Sequence, residues 1–147
     1  MTTAPTPEEG QAALQAHCRF RAAEAREKYG GTIGFEEIKR ILEDRAVVRY
    51  PTTLCFDARP LQPGEFAHAE PVNQFPANGF VLFVHPFFEE RPEVLPALIA
   101  YHIPRINYGE IATHEEAEIF GAELLGMEID AYYEGLCRLA DSIPPEE

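Results

Sequence analysis

Two histidines flank a short connecting segment late in the chain: His102 ends an apolar run, and His114 stands one residue past Thr113. Imidazole changes charge near neutral pH and ligates divalent metals through either ring nitrogen. Glu118 follows His114 by four positions, which on a helix places both on one face. His102, His114 and Glu118 therefore form a candidate nitrogen and oxygen ligand set, for zinc, iron or manganese if any metal is held. Simpler roles account for the same residues. His102 equally suits a core histidine bonded to a carbonyl or carboxylate, because its neighbours are nearly all apolar and a buried imidazole needs partners. His114, Glu115, Glu116 and Glu118 equally suit an exposed first helical turn, where acidic side chains favour the positive end of the helix dipole. His17 beside Cys18, His68 in a proline-rich stretch and His85 before Pro86 have no spacing that names a metal.

Other reactive patterns are missing. Cys18, Cys55 and Cys137 are odd in number, far apart and set among apolar residues, with no CxxC, so they read as buried reduced thiols rather than a disulfide framework. Cys55, between Leu54 and Phe56, reads as packed and not as a nucleophile. The sequence has no GxxxxGK[ST], no GxGxxG after a strand, no basic cluster interleaved with aromatics and no GxSxG elbow.

Charge narrows the partners. The 147 residues include 25 acidic and 12 basic side chains, a formal charge of −13, which repels phosphate backbones and anionic lipid surfaces. With the Lys and Arg scattered along the chain, the expectation is no nucleic-acid and no membrane partner, which leaves a protein partner or a homo-oligomer. Glu8, Glu9, Glu146 and Glu147 sit among Thr and Pro and read as flexible, solubilising termini. Met1 to Gly10 carries no basic n-region or apolar h-region, and no stretch reaches the roughly 18 apolar residues that cross a bilayer. A cytoplasmic location is expected.

The elements that must position these residues follow from periodicity. Thr6-Pro7-Glu8-Glu9 has the N-cap, the proline at the first helical position and the acidic residue of a helix start. Leu14, Cys18, Ala22, Ala25 and Tyr29 then make one narrow apolar stripe, stopped at Gly30-Gly31. Phe35, Ile38, Ile41 and Leu42 predict a second helix ending near Asp44. Val47-Val48 and Leu54-Cys55-Phe56 predict strands, with Pro51 marking a bend or an edge. Four prolines between Ala58 and Asn78 predict mostly loop, interrupted by a brief strand around Phe66 to Ala69. Phe80 to Val84 is the strongest strand, apolar on both faces and closed by His85-Pro86. Val94 to Ile103, apolar nearly all round and bounded by Pro104, predicts an internal helix. Thr113 with Glu116 forms a capping box for a helix with Ala117, Phe120 and Leu124 inward, ending at Gly126. A last helix starts near Asp130, with Tyr133, Leu136 and Ala140 inward. The fold class expected over 1–147 is a single α+β domain, a small, largely antiparallel sheet packed with helices.

From Gly79 to Gly126 the order of features resembles the zincin metallopeptidases, whose active helix carries His-Glu-x-x-His. Gly79-Phe80-Val81-Leu82-Phe83-Val84 is similar to the sheet strand of that group, Leu98-Ile99-Ala100-Tyr101-His102 to the approach to the first ligand, and His114-Glu115-Glu116-Ala117-Glu118 with Phe120 and Leu124-Leu125-Gly126 to the second helix. The resemblance implies a zincin-like arrangement in the second half. The catalytic Glu of the family falls at Ile103 and its second His at Ile106, and Pro104 interrupts the helix within the motif. Without that Glu, no general base removes a proton from a metal-bound water.

Three functions are compatible with these residues. The leading one is a non-catalytic zincin-like binding or structural domain that lacks a complete site, with no catalytic residues. The second is a metal-dependent hydrolase using His102, His114 and a carboxylate such as Glu118. The third is an oligomeric accessory protein that meets its partner through exposed aromatics at Tyr132 or Phe87-Phe88.

Overall fold

Capping starts the first and fourth helices where the sequence places them. In the computed structural model, which describes residues 6–145, Thr6 accepts a hydrogen bond from the Glu9 amide at 3.1 Å and Pro7 occupies the first turn of α1, Pro7–Lys28. Glu8 and Glu9 belong to that turn and not to a tail, while Glu146, Glu147 and residues 1–5 lie outside the described residues. Cys18, Ala22 and Ala25 form the buried stripe of α1, and small side chains there let the helix lie close along the later helix His114–Leu125. The short α2, Phe35–Glu43, buries Ile38, Ile41 and Leu42.

Three strands follow, β1 (Thr52–Phe56), β2 (Ala67–Pro71) and β3 (Phe80–Val84), in the spatial order β1-β3-β2. β3 is central, as its apolar run requires: Phe80, Leu82 and Val84 are buried, and Val81 and Phe83 are half-buried. β1 runs parallel to β3, with Thr52 opposite Phe80 and Phe56 opposite Val84, whereas β2 runs antiparallel to it, with Ala67 opposite Val84. The sheet is thus mixed and not largely antiparallel. β1 joins its parallel neighbour by a crossover long enough to contain β2, the kind of connection a parallel pair demands. Pro51 precedes the edge strand β1, where its missing N–H costs no ladder bond. Its carbonyl accepts from the Phe80 amide at 2.7 Å. Gly79, at φ +92°, must be glycine on two counts, since a Cβ there would stand 2.8 Å from that same carbonyl.

Val47 and Val48 are buried but form a turn, not a strand; both amides donate to the Asp44 carbonyl, at 3.0 and 2.8 Å. The Asp44 carboxylate accepts from Lys28 Nζ (2.6 Å), Tyr29 Oη (2.7 Å) and the Ala46 amide (2.9 Å). These bonds, that from Lys28 foremost, hold its pKa down at about 2 and tie the ends of α1 and α2 together.

α3, Leu95–Tyr108, is internal as its composition predicts, with Leu95, Leu98, Ile99, Ala100, Ile103 and Ile106 buried. It does not stop at Pro104, which sits buried within it. The helix continues one further turn to Gly109, because proline forfeits one amide bond while packing on every side holds the segment helical. α4, His114–Leu125, ends in the left-handed cap Gly126. In α5, Ile129–Ser142, the inward residues are Tyr132 and Leu136, and Tyr133 is half exposed. One contiguous core links all five helices to the sheet, and an α+β architecture results. Among the described residues no helix is long and apolar enough to cross a membrane.

Candidate functional site

A polar pocket of about 420 Å³ opens between β2, α3 and the first turn of α4, lined by Glu65, His68, Tyr101, His102, Arg105, Thr113 and His114 among others. Both histidines singled out by the sequence lie on its wall. His102 reaches it from α3, the helix fixed by its apolar faces. His114 reaches it as the first residue of α4 and is exposed.

The start of α4 is held by a buried carboxylate. Glu116 is fully buried and accepts from the Thr113 amide (2.9 Å), the Thr113 hydroxyl (3.0 Å) and Gln15 Nε2 on α1 (3.0 Å). Burial alone would raise its pKa, but these hydrogen bonds outweigh it and the carboxyl ionises more readily than a free glutamate. Glu116 is therefore not part of an exposed acidic face, unlike Glu115. Replacing Glu116 with Ala frees a buried cap and the bridge to α1, and should cost about 2 kcal/mol. Urea unfolding at pH 7 measures it; a Glu116→Ala loss no larger than that of Glu115→Ala would refute the assignment.

His102 is the unusual group. Its ring lies edge-on to Phe66 at 6.0 Å and to Tyr101 at 5.5 Å, and its Nε2 is shut off from solvent without a hydrogen-bond partner. Burial, reinforced by the nearby His68, pushes its pKa down to about 4. The imidazole is neutral at physiological pH, with one ring nitrogen unsatisfied. Neither the carbonyl nor the carboxylate partner expected for a core histidine reaches that nitrogen.

Glu118 is half-buried and does not line the pocket. From His114 the pocket reaches Ala117, three positions on, whereas Glu118 lies a further ~100° around the helix. Burial raises its pKa, with the His114 charge opposing and Glu115 and Asp130 reinforcing, and it also raises the Tyr101 hydroxyl's pKa. Among the described residues no three His, Cys, Asp or Glu side chains are placed to hold one metal ion.

Sequence reasoning passed over His68, Glu65 and Arg105. His68 reaches the pocket only because β2 pairs with β3, opposite Phe83, and no local spacing announces that. The thiols also separate: Cys18 is buried, Cys55 half-buried and Cys137 exposed, so only the first is the inert core thiol expected of all three, its pKa raised to about 11 by burial and by Glu116. Tyr132 and Phe88 are core residues and offer no aromatic surface to a partner; Phe20, Phe75 and Tyr133 are the exposed aromatics. No protein-family model, curated protein or solved structure matches the chain.

Proposed function

We propose that the protein is a non-catalytic binding domain, zincin-like in the order of β3, α3 and α4, whose ligand site is the pocket between β2, α3 and α4. The observation that carries this is the gathering of His102, a neutral imidazole, with His68, His114 and Arg105 on the wall of one pocket. Arg105, Glu65 and the two other histidines give the ligand polar contacts, and Tyr101 beside His102, with Ala67, Ala69 and Ala117, gives it an apolar floor. This combination of a few convergent polar groups on an apolar wall is typical of small-molecule sites.

The non-catalytic half of the proposal is supported by Ile103 and Ile106, which stand where a zincin has its general base and second histidine and are 0% and 1% exposed. Both belong to the core, so no side chain at these positions reaches a substrate. The expected result is no cleavage of casein or of a peptide library, with or without added zinc. In a small-fragment screen followed by NMR, hits should shift residues 65–69, 101–105 and 112–117 together and be lost in His102→Phe. Fragments that bind elsewhere would defeat the pocket. Stoichiometric zinc in untagged protein, lost in the His102→Ala, His114→Ala double variant along with chelator-sensitive cleavage, would establish the metal-dependent hydrolase instead.

A further inference from the structure

We propose that a second cavity, formed by His17 and Arg21 of α1, Arg45 and Arg49 of the turn after α2, and Asn107 and Tyr108 at the end of α3, binds a small phosphomonoester anion. The cavity is about 190 Å³, a size for a phosphoryl group with a short organic stub. It lies apart from the His102 pocket and shares no lining residue with it.

Positive charge gathers at this cavity. The chain carries 25 carboxylates and only 12 basic residues, so a cation here has carboxylates in excess to pair with. Lys28, Lys39, Arg40, Arg59 and Arg138 each have one within 4 Å. Among the described residues Arg45 and Arg49 have none, which is also true of Arg19, Arg26, Arg91 and Arg105, but Arg45 and Arg49 meet at one cavity. Arg45 donates to the Val48 carbonyl at 2.8 Å, and the Arg49 guanidinium lies over the Tyr50 ring at 5.3 Å. Arg21 adds a third guanidinium, held from one side by Glu24 at 3.2 Å. Three like charges gathered at one small concavity repel one another, and a dianion between them reverses that repulsion.

The cavity is also built in advance. Asn107 Oδ1 accepts from the Arg49 amide at 2.7 Å and Asn107 Nδ2 donates to the Val47 carbonyl at 2.8 Å, which pins the turn to α3. The Asp44 carboxylate anchors the start of the same turn. His17 stands edge-on to Tyr108 at 5.6 Å, bringing a ring nitrogen and a phenol to the rim. Guanidinium forks match the oxygens of phosphate two at a time, and several forks favour the doubly charged phosphomonoester over a single carboxylate. The remaining surface, strongly acidic, repels a polyanion over many contacts, whereas a compact anion meets only charges within a screening length of about 8 Å.

The test uses the full chain with inorganic phosphate and glycerol 3-phosphate as probes, read by calorimetry and by amide NMR shifts, with sulfate, chloride and a single-stranded oligonucleotide as comparisons. Saturable binding of glycerol 3-phosphate is expected, tighter than inorganic phosphate, with shifts centred on residues 17–21, 45–49 and 107–108. Arg45→Gln with Arg49→Gln should weaken it at least tenfold and Arg19→Gln, which removes one charge from α1 outside the cavity lining, less than twofold. Arg45→Lys with Arg49→Lys, which keeps charge but loses the forks, should fall between. Equal weakening by Arg19→Gln, unchanged affinity in the double Gln variant at an unchanged Tm, or shifts elsewhere would overturn the proposal. Inorganic phosphate binding as tightly as the ester would overturn the organic stub, and an oligonucleotide binding more tightly than either would replace the small anion with a nucleic acid.

Discussion

Replacing Gly121 with alanine is expected to destabilise the fold by about 3 kcal/mol, the upper part of the range for forcing a methyl into a packed core. A Cβ at Gly121 would overlap the hydroxyl and ring of Tyr132. Neither partner can yield cheaply. Tyr132 is 1% exposed, and its hydroxyl donates to the Ala97 carbonyl at 2.7 Å, so the ring is held at both ends between α4 and α3. Tyr132→Phe should cost about 1–2 kcal/mol, the price of the lost hydrogen bond and the stranded carbonyl, and Tyr132→Ala about 3–5 kcal/mol. Once the ring is gone the methyl has room, so the Gly121→Ala, Tyr132→Ala double variant should be more stable than the sum of the single losses by 1–3 kcal/mol. Urea denaturation of the four proteins closes the cycle. A Gly121→Ala loss below about 0.5 kcal/mol, or simple additivity, would show that α4 and α5 do not pack through this contact.

That contact also shows where sequence periodicity stops. Tyr132 and Tyr133 are adjacent, and Leu136 lies a permitted helical step from either, so local spacing selects Tyr133 as readily as Tyr132. Gly121 decides between them, because only its missing side chain admits a buried ring on one face of α4. Signals confined to a few neighbouring residues were legible: the Thr6 and Thr113 caps, the Gly126 stop, the apolar run of β3 and the all-round apolarity of α3. Features set across long separations were not. Val47 and Val48 have the β-branched character of a strand, yet Asp44 and Asn107 fold them into a turn, so the residues reported burial correctly and conformation wrongly. Strand polarity likewise depends on where the crossover from Asp57 onward returns, which no strand's own residues encode. The candidate site divides the same way. His102 and His114 were visible from their placement at element ends, whereas His68 and the gathering of Arg21, Arg45 and Arg49 exist only in three dimensions.

Stability should fall steeply as pH drops from about 6.5 towards 4, and His102 should account for the fall. Its pKa in the fold is about 4 against 6.5 for the free side chain, because burial and then the His68 charge oppose protonation. Between these values the unfolded chain binds a proton that the folded chain refuses, so acid favours unfolding. The contribution is whole above pH 6.5 and is lost progressively as pH falls to about 4, below which both states are protonated. The difference, 6.5 − 4, is about 2.5 units or roughly 3 kcal/mol. Carboxylates act in a lower window: Asp44, held at about 2, loses its contribution as pH falls from its ordinary 3.8 to that value, and the lowered Glu116 behaves in the same sense. The His102→Phe variant separates the two, since it keeps the carboxylates and removes the imidazole. Urea midpoints at half-unit steps from pH 4.5 to 7.5 should slope in the parent and be nearly flat in the variant above pH 5. Parallel curves would mean that His102 accepts its proton in the folded state. The neutral imidazole also joins stability to binding. A ligand that donates a hydrogen bond to the neutral ring lowers the folded-state pKa further, so its affinity should weaken with acid across the window in which the ring becomes charged.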